Sequence, residues 1–143
     1  KCIAYGNEPV IIGGFVDEEM SQELLNNTDC YIDTSSGSYT TASCAEALIN
    51  QKICICVDGT ACASYISPSN GFNIEAYSES IMSTHKYSTH NISSIYEEWK
   101  KPKIDSIKHN MRQAYELSEE QKQNKIDNIN IQIFDNKQFN RYI

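Results

Sequence analysis

A chain of 143 residues with 40% apolar residues can build one ordinary domain with a core that needs no staples, and two domains would be cramped. The net charge of −7 is unevenly spread: residues 1–75 hold ten carboxylates against Lys1 and Lys52, and residues 76–143 hold nine against ten Lys or Arg. An acidic first half is a poor match for nucleic acid, no apolar run reaches the roughly 18 residues of a membrane span, and no basic segment with an apolar signal core opens the chain.

The reading is therefore a soluble, cytoplasmic chain. It starts at Lys1 rather than Met and runs quickly into apolar residues, which suggests a processed product or, as the preferred reading, a fragment of a longer protein.

Pro9 to Val16 is apolar and β-branched around Gly13-Gly14 and predicts a short strand. Asp17 is a good N-cap, Glu18 and Glu19 suit a first turn, and Met20, Leu24 and Leu25 supply the apolar face of a helix to about Asn27. Cys30 to Asp33 reads as the next strand, Thr34 to Tyr39 as turn chemistry, and Thr40 or Thr41 as the cap of a helix to about Gln51. Lys52 to Val57 is again a strand.

A short helical turn over Ala63 to Ile66, a loop at Ser67 to Gly71 and a brief strand from Phe72 to Glu75 follow. Ser78 or Ser80 is expected to start another helix. From Ile92 the pattern reads as helical and charged, with Ile95, Trp99, Ile107, Met111, Tyr115, Ile126 and Ile129 as apolar positions and Pro102 and Asp135 as breaks. Alternating strands and helices with short loops imply parallel β-α-β units, hence an α/β fold with a Rossmann-like, doubly wound parallel sheet. Residues 1–90 would form that half-domain, and 91–143 a C-terminal helical segment packed on it.

Six cysteines invite a disulfide framework, but Cys54 and Cys56 alternate with Ile53, Ile55 and Val57 in a strand, and Cys44 falls in a helical pattern. Such residues act as small hydrophobes, so reduced thiols are expected. Cys-x-Cys without a second Cys or His pair is no zinc signature, so no metal is expected. His85, His90 and His109 lie among polar residues and read as surface side chains.

The polar loop between the Cys30 strand and the following helix carries the clearest chemical signal. Backbone N–H groups and hydroxyls gathered at a helix N-terminus favour an anion such as a nucleotide pyrophosphate. Glu46 then lies one turn into the helix, within reach of a ribose.

With these elements in order, residues 10–75 resemble the second half of the C-terminal domain of the two-Rossmann-domain (GT-B) retaining glycosyltransferases. Val10-Ile-Ile-Gly-Gly-Phe-Val and Asp17-Glu-Glu-Met with Leu24-Leu25 match the strand, glycine turn and helix that precede the family's "ADVFVLPS" strand, here Thr28-Asp-Cys-Tyr-Ile-Asp-Thr-Ser35. The family's acidic motif, Glu, seven residues, Glu, then Ala, is met at its second member by Glu46, followed by Ala47-Leu48. Gln51-Lys-Ile-Cys-Ile-Cys-Val-Asp58-Gly59-Thr60 echoes the "GKPVIATD-GG" segment, and Asn70-Gly71-Phe72-Asn-Ile74 the "NGFLV" turn.

The resemblance implies a donor site for a nucleotide-sugar formed by Ser38, Tyr39, Thr40, Thr41, Ala42 and Glu46. The N–H groups of Thr41 and Ala42 would meet phosphate, and Glu46 would accept from ribose hydroxyls. It further implies a missing N-terminal Rossmann domain of the same protein, a carbohydrate or glycoconjugate acceptor held largely by that domain, and no metal or other cofactor. Ser38 stands where the family has its first Glu, and Ser64 where a Glu commonly follows the glycine-rich turn. A hydroxyl cannot supply the charge that faces an oxocarbenium-like transition state, so the isolated fragment is expected not to turn over substrate. Two other readings stay open: a noncatalytic glycosyltransferase-like domain that binds or stabilises a partner, and a small secreted disulfide protein.

Overall fold

The computed structural model describes residues 16–36, 42–81 and 97–130. The expected strand at Pro9 to Val16 falls almost wholly outside them, as do residues 131–143. In chain order the described elements are α1 (Glu18–Asn26), β1 (Cys30–Asp33), α2 (Ala42–Ile49), β2 (Ile53–Val57), a one-turn 3-10 helix (Cys62–Tyr65), β3 (Gly71–Ile74), β4 (Ala76–Ile81), β5 (Glu97–Pro102), α3 (Ile104–Tyr115) and α4 (Glu119–Asp127).

Three strands form a parallel sheet in the order β1-β2-β3, with Cys30 opposite Ile53 and Cys54 opposite Gly71. β2 is central and buried at every residue, as a parallel strand covered on both faces should be. Its alternating side chains feed two cores. Cys54 and Cys56 meet Cys44, Ala45, Ala47 and Leu48 of α2 with Cys62, Ile66 and Ile129; Ile55 and Val57 meet Ile32, Ile74 and, on α3, Ile107 and Ala114. Helices therefore cover both faces of an α/β sheet.

Local chemistry explains where these elements start and stop. Asp17 caps α1 by accepting from the Met20 N–H at 2.9 Å. α2 closes with paired bonds from Gln51 N to Leu48 O and Lys52 N to Ala47 O, both 2.9 Å, which require Gln51 to take φ +58°. Ahead of β3, the buried Asn70 accepts from Ser67 N at 2.7 Å and donates to Tyr65 O at 3.0 Å, locking the turn. Gly71 is needed for close approach: a Cβ there would sit 2.5 Å from Cys54 O and 2.8 Å from Ile66 Cγ2. α4 carries a full capping box between Ser118 and Gln121, and its Lys125 donates to Pro68 O at 2.7 Å while lying over the Phe72 ring.

Two expectations are corrected. Ser78 and Ser80 start no helix: they belong to β4, paired antiparallel with β5, so that Glu79 faces Trp99 and Tyr77 faces Lys101. The stretch from Ile92 is not continuously helical, because Glu97–Pro102 is that second strand. A pairing partner some twenty residues away decides both, and local propensity is too weak to resist it. Pro102 does mark the break before α3. No helix among the described residues is long and apolar enough to cross a membrane.

Candidate functional site

The carboxyl ends of β1 and β2 lie side by side, with Asp33 opposite Cys56 in the register. Beyond them run Thr34–Ser36 on one side and Asp58–Gly59–Thr60 on the other. Asp33 shapes the exit from β1, since its Oδ1 accepts from both the Ser35 N–H (2.8 Å) and the Ser35 hydroxyl. Thr60 shapes the exit from β2 by donating its hydroxyl to Val57 O at 2.7 Å, and Gly59 takes φ +75° in the turn.

Of the six residues expected to hold a donor, Ser38, Tyr39, Thr40 and Thr41 lie outside the described residues. Ala42 is the exposed first residue of α2. Glu46 lies one turn further along, half-buried, and its Oε1 accepts a short hydrogen bond from the Gln22 side-chain amide of α1. The carboxylate is thus held between two helices, with its second oxygen left over from that bond. Ser64, the other position at which the residues depart from the resemblance, is exposed and donates to Ala61 O at 2.6 Å.

Two features of this edge escape the sequence reading. One is Lys100 on β5. Its N–H donates to Ser36 O at 2.9 Å, its Nζ donates to Ser78 Oγ at 2.7 Å, and its side chain runs so close over Gly59 that a Cβ there would meet Lys100 Cε at 2.9 Å. The β4–β5 ribbon thereby brings a cation to the loops that follow β1 and β2. A stretch read as helix gave no sign of it.

The other is a knot of thiols. Cys44 from the first turn of α2, Cys56 from β2 and Cys62 from the 3-10 helix place their sulfurs within 4.8 Å of one another, all buried. Cys44 Sγ and Cys56 Sγ are 3.7 Å apart and unbridged, and Cys62 donates to Asp33 Oδ2 at 3.1 Å. Thiol hydrogen bonds from Cys54, Cys56 and Cys62 hold the Cys44 pKa below the ordinary thiol value, against burial. The same Cys44 contacts, with burial, push Cys54 and Cys56 well up. Burial first, then the Asp33 hydrogen bond, raises Cys62 to about 12. Burial also raises the Asp33 carboxyl, but hydrogen bonds from Ser35 and Cys62 outweigh it and leave the pKa lowered.

On the far side of β3, an open cleft of about 530 Å³ lies between the ribbon and the start of α3, lined by Tyr77, Pro102, Ile104 and His109. Lys103 crosses it, 2.7 Å from Glu75 and 5.0 Å from the Tyr77 ring centroid. His109 is exposed, as its polar neighbours predict.

No family model, no curated protein and no solved structure matches the chain.

Proposed function

We propose that the chain is a Rossmann-like, nucleotide-sugar-binding half-domain of a GT-B retaining glycosyltransferase. The observation that supports this reading is the parallel β1-α2-β2 unit: residues 34–36 and residues 58–60 leave the carboxyl ends of neighbouring strands, where open α/β sheets bind ligands. The first turn of α2, with Ala42 its first residue, would turn backbone N–H groups and the positive end of the helix dipole toward a diphosphate. Ser38, Tyr39, Thr40 and Thr41 complete the donor loop. Glu46 accepts the ribose hydroxyls, with the Gln22 amide fixing one carboxylate oxygen and leaving the other for the ligand.

Transfer requires the N-terminal Rossmann domain of the same protein, which brings the carbohydrate or glycoconjugate acceptor and further cations for the diphosphate. No metal takes part in this donor chemistry. A noncatalytic, partner-stabilising version of the domain is the second reading, and Ser38 favours it because a hydroxyl cannot offset developing positive charge at the sugar.

Calorimetric titration of the full chain with a panel of uridine, guanosine and adenosine diphosphate sugars tests the proposal. At least one should bind, and Glu46→Ala should weaken it by about tenfold to a hundredfold, the equivalent of losing a charge-assisted hydrogen bond of about 1.5–3 kcal/mol. Binding of none, or an affinity indifferent to Glu46→Ala, refutes it. Turnover by the complete enzyme separates the two readings.

A further inference from the structure

We propose that Cys44, Cys56 and Cys62, with the Asp33 carboxylate as fourth donor, form a closed site for a thiophilic divalent cation, zinc first of all. The proposal is independent of any sugar chemistry. Spacing in the sequence conceals it, since Cys54-x-Cys56 suggests a pair along one strand, whereas the fold takes only Cys56 from that strand and adds one thiol from α2 and one from the 3-10 helix.

The geometry favours a metal over simple apolar packing. Two thiolates on a tetrahedral zinc with Zn–S bonds of about 2.3 Å stand about 3.8 Å apart. Cys44 Sγ and Cys56 Sγ are 3.7 Å apart, and no disulfide joins any of the five described cysteines. Asp33 Oδ2 lies 3.1 Å from Cys62 Sγ, at the rim of the same cluster. Its other oxygen is held by the N–H and hydroxyl of Ser35, an outer-shell support of the kind that fixes a ligating carboxylate.

All three sulfurs already lie within 4.8 Å of one another, and an ion among them would draw each pair toward that tetrahedral separation. Each thiol that ligates gives its proton to solvent. Asp33 ends β1 and Cys44 lies in the first turn of α2, so the ion would tie the end of that strand to the start of that helix.

The test is titration of the full chain, under reductant, with cobalt(II) and then zinc(II). One cobalt per chain should give sulfur-to-cobalt charge transfer in the near ultraviolet and the visible bands of a tetrahedral site, both abolished by one equivalent of zinc. Cys62→Ala should lower zinc affinity at least about tenfold, while Cys54→Ala, altering a thiol of the same core outside the trio, should keep the stoichiometry and the spectrum. A featureless cobalt spectrum, or zinc uptake indifferent to Cys62→Ala, overturns the site. If Cys62→Ala loses its fold by circular dichroism, Asp33→Asn at the cluster's rim decides: shifted cobalt bands and weaker binding support the four-donor site, and unchanged bands and affinity overturn it.

Discussion

Asn110, buried in the middle of α3, donates its side-chain amide to the main-chain carbonyl of Asn73 on β3 at 2.9 Å. A polar residue thus occupies the place where the helix rests on the edge of the sheet, between Ile107 and Ala114 on the same face. The bond satisfies an edge-strand carbonyl and fixes the height of α3 along β3.

Replacing Asn110 by Ala should therefore destabilise the fold by about 1–3 kcal/mol, through the lost bond and the partly desolvated carbonyl left behind. Urea unfolding followed by circular dichroism measures it. A loss under about 0.5 kcal/mol, the range of an ordinary surface substitution, would show that Asn110 only fills space.

Gln51 holds φ +58° because the C-terminus of α2 needs a left-handed residue there, and it has a Cβ that glycine would lack. Gln51→Gly should raise stability by about 0.5–1 kcal/mol even though glycine adds freedom to the unfolded chain. A higher urea midpoint with an unchanged slope is the expected result.

Elements whose signal is local were legible in the sequence. Asp17 and the two glutamates after it announce α1, and the unbroken apolar run Ile53 to Val57 announces a strand buried on both faces. β4 and β5 were hidden because each exists through the other. Ser78 and Ser80 look like helix caps until Lys100 and Glu98 are found across from them, and Trp99 fits a helical period although it is an exposed strand residue. Met111 and Tyr115 likewise fit the period of α3 but face solvent, because Ile107, Asn110 and Ala114 make the contact. In the candidate site, Glu46 was visible as a helical carboxylate, but its partner Gln22 stands 24 residues away, and no sequence spacing predicts the meeting of Cys44, Cys56 and Cys62.

Asp33 gives the fold a dependence on pH. Its carboxyl is lowered from the ordinary 3.8 by hydrogen bonds from Ser35 and Cys62, which outweigh burial. A depressed carboxyl contributes stability in full above its unfolded value, and that contribution disappears as pH falls through the folded value. The advantage of the wild type over Asp33→Asn should therefore be constant from pH 7 to about 5 and shrink below about 4. Urea midpoints of the two proteins between pH 7 and 3, without added metal, provide the check, and a gap that widens on acidification would reverse the assignment.

The Gln22–Glu46 bond separates a structural carboxylate from one poised for a ligand. If Glu46 serves only to join α1 to α2, Gln22→Ala and Glu46→Ala should lower stability alike, and neither should alter any nucleotide-sugar affinity. If Gln22 instead orients Glu46 toward a ribose, Glu46→Ala removes the acceptor itself, whereas Gln22→Ala leaves the charge in place and only loosens it. Affinity should then fall about tenfold or more in the first variant and by a smaller factor in the second, with Gln22→Glu as damaging as Glu46→Ala because like charges would push the carboxylate aside. Calorimetric affinities for the three variants, set beside their urea midpoints, distinguish the two cases. We expect the graded pattern in affinity, because among the described residues this half-buried carboxylate has one oxygen engaged, and a carboxylate can accept through both.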